Sequence, residues 1–336
     1  MNIRDVAALA GVSPATVSRL LNQTGRVSAV ARERIEKVIQ TTDYDPGRKS
    51  GRIEVNHNPT IGVVIPSLLN PVFSEIVSGI QARARHFGFS VMIADTGYER
   101  ERERQAVVDL IRQRVAGVIL TVASVENNEA LSLLREFRFP FCLVHNRSEG
   151  NEPSVFVDNY QAGHDVASQL IASGHTRLGM VAGQFQVSDR ARQRYAGFLS
   201  RIDADDSALS EALIEVDPCD DAPFDHSCLL TMHRQVTAWF CSNDLLAMKL
   251  MHYFSRRGIR VPEAVSVVGF DGMSFGQLVS PPLATVRVPH RTMGNCAVDL
   301  LFNSRHQTGL TLQRQLDYEM SLRGSVMKRQ SPLYCS

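Results

Sequence analysis

The chain has 336 residues, of which 44% are apolar and 21% charged, the proportions of a globular protein with room for two ordinary domains. These values exclude a mostly disordered chain, a coiled-coil rod and a disulfide-stapled miniature. The net charge of +1 hides an asymmetry: residues 1–56 hold nine Lys/Arg against six Asp/Glu, and the rest carries −2. A small basic head on a slightly acidic body points to a polyanionic partner for the head alone.

Three short amphipathic helices are predicted in the head. Ile3, Val6, Ala7 and Ala10 recur at helical spacing; Gly11-Val12 interrupts them; Ser13-Pro14 restarts the pattern as an N-cap followed by proline at the first helical position. Val17, Leu20 and Leu21 stripe the second helix, and a third from Ser28 buries Ala31, Ile35, Val38 and Ile39. Helix, short glycine turn, helix and supporting helix is the layout of a helix-turn-helix DNA reader, although a three-helix bundle for protein contacts has the same spacing. In a DNA reader, Pro14, Ala15 and Arg19 face base edges, with Arg19 able to grip guanine O6 and N7. Ser13, Thr16, Ser18, Asn22 and Ser28 then take phosphates.

From Ile61 onward the chain alternates short apolar runs with amphipathic stretches. Strands are predicted at 61–65, 90–94, 117–121, 141–144, 178–181, 237–240 and 265–269, and helices at 73–87 and 159–173 among others. Repeated β-α-β units imply an α/β body of parallel sheets, and its length favours two lobes with a ligand cleft at the carboxyl ends of the strands. No G-x-G-x-x-G, P-loop, G-x-S-x-G or H-E-x-x-H pattern occurs, so neither an enzyme nor a cofactor is expected. Six scattered cysteines without a C-x-x-C pair fit reduced thiols, and Cys219, His226, Cys228 and His233 match no standard zinc spacing. With no apolar run long enough to cross a bilayer and no export signal, the expectation is a cytoplasmic protein with no membrane partner.

The run Ile3–Asn22 (IRDVAALAGVSPATVSRLLN), with Val27-Ser28 and Tyr44-x-Pro46, closely resembles the head of the lactose/galactose repressor (LacI–GalR) family. Further matches cover most of the body: Asn70-Pro71-x-Phe73, Val157-Asp158-Asn159, Gly174-His175, Ser242-Asn243-Asp244, Val265–Asp271, Pro281–Val286 and Arg323-Gly324-Ser325. The resemblance implies an all-α helix-turn-helix head at 1–46, a hinge at 47–59 and a two-lobed periplasmic-binding-protein-like body at 60–336. The N-lobe would comprise 60–158 and 287–318, and the C-lobe 159–286 and 319–329. It also implies a transcriptional regulator, most readily a homodimeric repressor on a near-palindromic operator, switched by a small effector such as a sugar or sugar derivative. A sugar-binding protein without a DNA role fits the body but leaves residues 1–56 without a use.

The hinge departs from the family pattern. Gly47 and Ser50 replace the usual asparagine and alanine, and Ile53 stands where a leucine wedges between base pairs. Two glycines, Gly47 and Gly51, each cost a helix about 1 kcal/mol. This hinge is therefore expected to bind the minor groove more weakly and bend DNA less, while Arg48 still neutralises phosphate. In the cleft the resemblance places Arg194, Asn243 and Asp271 on the effector, with Phe73 and Phe270 as apolar walls and Asn70 beside them. His145 stands where some relatives carry an acid. Each has a plainer alternative: Arg194 as a surface arginine, Asp271 as a loop cap, Asn70 as a turn residue before Pro71.

Overall fold

The computed structural model describes residues 3–21, 25, 27–41, 59–217, 229, 235–303 and 312–329. Two compact units emerge, 1–58 and 59–336. Asn22, Arg48 and Ile53, the hinge up to residue 58, and the Cys219/His226/Cys228/His233 group lie outside the described residues.

In the first unit, α1 (Ile3–Ala10), α2 (Pro14–Leu21) and α3 (Ala29–Thr41) pack around Val6, Ala7, Ala10, Val17 and Ile35. Val12, Leu20, Leu21, Val38 and Ile39 close the margin of this core. Pro14 opens α2 because the first turn needs no N–H from it, and the Ser13 hydroxyl oxygen accepts from the Thr16 N–H at 3.2 Å. Ser28 caps α3 likewise, accepting from the Ala31 N–H at 3.3 Å. Gly11 takes the left-handed φ of +65° at which α1 stops.

The second unit is built on two six-stranded sheets. The first holds β1 (Thr60–Ile65), β2 (Ser90–Asp95), β3 (Gly117–Leu120), β4 (Phe141–Val144), β5 (Ser154–Phe156) and β11 (Gln313–Gln315), in the order β11-β5-β4-β3-β1-β2. All its pairings are parallel. The second holds β6 (Arg177–Gly183), β7 (Leu209–Val216), β8 (Ala238–Cys241), β9 (Ser266–Asp271), β10 (Ala284–Arg287) and β12 (Glu319–Ser321), in the order β12-β10-β9-β8-β6-β7. Here only the β10–β12 pair is antiparallel. The central strands are buried on both faces, which is why they read as continuous apolar runs.

Helices α4 (Pro71–His86), α5 (Arg100–Arg112), α6 (Glu129–Glu136) and α10 (His290–Asn303) belong to the first sheet; α7 (Asn159–Ala172), α8 (Asp189–Asp203) and α9 (Asp244–Ser255) belong to the second. The chain crosses between sheets after β5, after β10 and after β11. The two lobes repeat one packing device. A Cβ on Gly79 of α4 would lie 2.2 Å from the Arg291 carbonyl of α10, and one on Gly197 of α8 would lie 1.8 Å from the Tyr160 carbonyl of α7. Glycine lets each helix pair cross in backbone contact.

Candidate functional site

On the head, the first turn of α2 carries the residues expected to read DNA. Pro14, Ala15 and Arg19 are exposed, Thr16 and Ser18 half-buried. The Arg19 stem passes Gly25, where an added Cβ would come within 3.4 Å of its Cδ. Ser13 and Ser28 spend oxygen lone pairs on caps, but a hydroxyl can still donate its proton to a phosphate oxygen.

In the body, the carboxyl ends of β1, β2, β4, β6, β8 and β9 face one another across the lobes and enclose a narrow cavity of about 60 Å³. Asn70, Phe73, His145, Arg194, Asn243 and Asp271 all line it. Phe270 does not. It is fully buried, its ring covered by the Arg194 guanidinium at 3.5 Å from the centroid, so it supports the arginine instead of walling the cavity.

Local chemistry sets each group. Asn70 and Asn243 are the N-caps of α4 and α9: their Oδ1 atoms accept from the Val72 N–H at 3.2 Å and the Leu246 N–H at 2.8 Å. The caps commit both oxygens and thereby identify Nδ2 as the atom left for a ligand. Arg194 is 7% exposed; its Nε donates to Asn159 Oδ1 at 2.8 Å and its Nη1 to the Ser242 carbonyl. Burial lowers its pKa to about 10.

Asp271 sits at φ +117°, a strained backbone that its neighbours hold in place. The Met273 N–H donates to Asp244 Oδ2 at 2.7 Å, and the Thr285 hydroxyl donates to Asp244 Oδ1 at 2.6 Å and accepts from the Gly272 N–H at 3.2 Å. Burial pushes the Asp271 carboxyl well above the ordinary range, with Arg194 pulling the other way. His145, also at positive φ, is buried edge-on to Phe73. Burial, then the neighbouring His290, holds its pKa well below the ordinary value, and its Nε2 has no hydrogen-bond partner among the described residues.

The sequence reading missed three features. Tyr98 lines the cavity from a left-handed Gly97-Tyr98 pair, held where the Gly97 N–H meets Asp95 Oδ1 at 2.9 Å and the Tyr98 N–H meets the Pro66 carbonyl at 3.1 Å. His290, at the start of α10, points Nε2 at the Asp271 carbonyl, 3.2 Å away. The start of α8 ties the lobes together. Asn146 Nδ2 donates to both Asp189 carboxylate oxygens at 3.0 Å, Arg190 Nη1 donates to the Val122 carbonyl at 2.7 Å, and the Asp189 N–H donates to the Ala123 carbonyl at 2.8 Å. Asn146 and the arginines at 190, 192 and 194 stand in the sequence, but what they face is set only by the fold. Among the described residues, no group of three or more His, Cys, Asp or Glu side chains is placed to hold a metal ion, and no helix is long and apolar enough to cross a membrane.

Two lobes closing on a small polar cavity, in a chain that also carries a three-helix head, define a ligand-responsive DNA regulator as the class of protein. Residues 58–317 match the family described as periplasmic binding proteins and sugar binding domain of LacI family, and residues 2–47 match bacterial regulatory proteins, lacI family. The chain belongs to the LacI family of bacterial regulatory proteins. Among its relatives, the HTH-type transcriptional repressor CytR of Escherichia coli is 30% identical over 96% of both chains. The HTH-type transcriptional repressor PurR of Vibrio atlanticus is 30% identical, covering 89% of this chain and 90% of its own. The structure of the Lac repressor dimer bound to operator and the anti-inducer ONPF superposes with a TM-score of 0.75 at 27% identity, over 97% of this chain and 99% of that one.

Proposed function

We propose that this protein is a homodimeric repressor that binds a near-palindromic operator and releases or tightens its hold when a small effector enters the cleft between the lobes. The observation that carries the reading is the cleft itself: Asn70, Phe73, His145, Arg194, Asn243 and Asp271 come from five separate segments of the chain yet line one cavity. A ligand touching both lobes has a different affinity for each lobe arrangement, which is the physical requirement for a switch. Arg19 on the exposed face of α2 supplies base readout, and Ser13, Thr16, Ser18, Asn22 and Ser28 position the head on phosphates.

A two-fold protein matches a two-fold DNA site. The edge strand β2 exposes Met92 and Ile93 beside α5, an apolar strip suited to a second copy. The Lac repressor, a dimer on operator in the structure above, is the precedent for this arrangement.

The test is selection of sheared source-genome DNA on the purified full chain at moderate salt, followed by sequencing. Recovery of one or a few near-palindromic sites is the expected result. Sequence-blind recovery, with or without added metabolite pools, overturns the reading. Sedimentation at micromolar concentration should give a dimer.

A further inference from the structure

Two arginines four residues apart on α8 line the cleft, and their surroundings differ in kind. Arg190 is neutralised: its Nη1 meets Asp189 Oδ1 at 3.2 Å and the Val122 carbonyl at 2.7 Å. Arg194 is equally buried but has only neutral hydrogen-bond acceptors, Asn159 Oδ1 and the Ser242 carbonyl, and an aromatic face beneath it. No carboxylate among the described residues comes within 4.0 Å of it. A buried guanidinium without a counter-ion is costly unless something supplies one.

The polar atoms not already spent on the protein are nearly all donors. Helix capping commits the oxygens of Asn70 and Asn243 and leaves their Nδ2 atoms, which make no hydrogen bond to any described residue. Arg194 keeps Nη2. On the N-lobe side of the lining, Asn70, Phe73, Tyr98 and His145 carry no carboxyl, and Glu75 of α4 acts on Asp271 from outside it. Asp271 is the one carboxyl in the lining. Around it stand Arg190 and Arg194 of α8, Asp244 of α9, Glu75 of α4 and His290 of α10, and burial favours its protonated form, a further donor. A carboxylate only accepts, so uncommitted amide and guanidinium N–H groups can meet its oxygens with no ligand proton left to place.

Resting on the effector-switched reading above, we infer that the effector carries a carboxylate, seated on the free Nη2 edge of Arg194 between the Asn70 and Asn243 amides. The ligand supplies the close ion pair that Arg194 lacks among the described residues, and the Asn70 and Asn243 Nδ2 atoms donate to its oxygens.

The experiment uses the full chain and matched pairs: D-gluconate against D-glucose, D-galacturonate against D-galactose, phenylacetate against 2-phenylethanol, and D-glucose 6-phosphate as a non-carboxylate anion. Thermal melting and titration calorimetry give the readouts. At least one acid should raise the melting temperature and bind about tenfold or more tightly than its neutral partner. Arg194→Gln should lose that preference. Because that variant disturbs a buried contact, Asp271→Asn serves as the second. It should tighten acid binding several-fold, because it removes the carboxyl that a ligand carboxylate must face in the lining, whereas a polyol site would weaken. Equal binding of a neutral partner, binding of the phosphate alone, no response to any acid, or weakened acid binding in Asp271→Asn each overturns the inference. Operator selection on the same preparation separates the two failures. Operator recovered without an acid response refutes the carboxylate alone, and failure to recover an operator refutes the regulator.

Discussion

Histidine 175 shows how a single side chain can couple stability to pH. Its Nε2 donates to the Met327 carbonyl at 3.1 Å, its Nδ1 meets the Thr237 hydroxyl at 3.2 Å, and burial lowers its pKa to about 4. A histidine with a depressed folded-state pKa is stabilising while neutral. Its contribution is whole above the unfolded value of 6.5 and is lost as pH falls toward 4. Urea unfolding should therefore lose about 2–3 kcal/mol from this group between neutral pH and about pH 4, and His175→Gln should flatten the curve over that window. On the head, Arg19→Ala should cost about 1–3 kcal/mol on the selected operator and little on random DNA. Equal losses on both would show that Arg19 touches only phosphate. Residue types alone pointed to Arg194 and Asp271, through family resemblance. They could not say that Arg190 is held between Asp189 and the Val122 carbonyl while no carboxylate among the described residues comes within 4.0 Å of Arg194, because that depends on which segments meet α8.

Helices and strands differ in how much of them could be read locally. The head helices and α7 start at Pro14, Ala29 and Asn159, where a proline, serine or aspartate cap is visible in the chain. Strands β5, β11 and β12 are three residues each, and their ladders pair segments far apart: Ser154 with Gln313, and Thr285 with Ser321. No local period marks them, since their hydrogen bonds exist only after the lobes assemble. The α7–α8 crossing is a second property of this scale. Gly163 and Gly197 abut the carbonyls of Arg194 and Tyr160. Gly197→Ala should force the helices apart, costing about 1–3 kcal/mol in a denaturant titration. Because Arg194 rides on the same helix, effector affinity should fall with it.

Across the whole molecule, the polar strap between lobes determines how readily the cleft opens. Glu103 on α5 accepts from the Ala123 N–H at 2.7 Å and from Asn128 Nδ2 at 3.0 Å, fixing the loop onto which Asp189 and Arg190 dock. Asn146 is 1% exposed and bridges that loop to Asp189. Asn146→Ala would leave a buried carboxylate short of donors, a loss of about 1–3 kcal/mol. Hydrogen exchange should quicken at the Asp189 amide, and effector affinity should change as the lobe equilibrium shifts. Unaltered exchange would show that the strap does not limit opening.

The sequence by itself determined the three-helix head, the parallel α/β character of the body and most central strands, because capping residues, helical stripes and doubly buried apolar runs are local signals. It also marked the cleft residues through their motifs. Tertiary structure alone decided that Phe270 lies beneath Arg194 and not against the ligand space, that Tyr98 enters the cavity on a left-handed turn, and that His145 and His290 lie side by side. The same holds for the contrast between a paired Arg190 and an unpaired Arg194. These features depend on segments far apart in the chain meeting, and the electrostatics of a buried charge are set by what encloses it, which no local stretch of sequence contains.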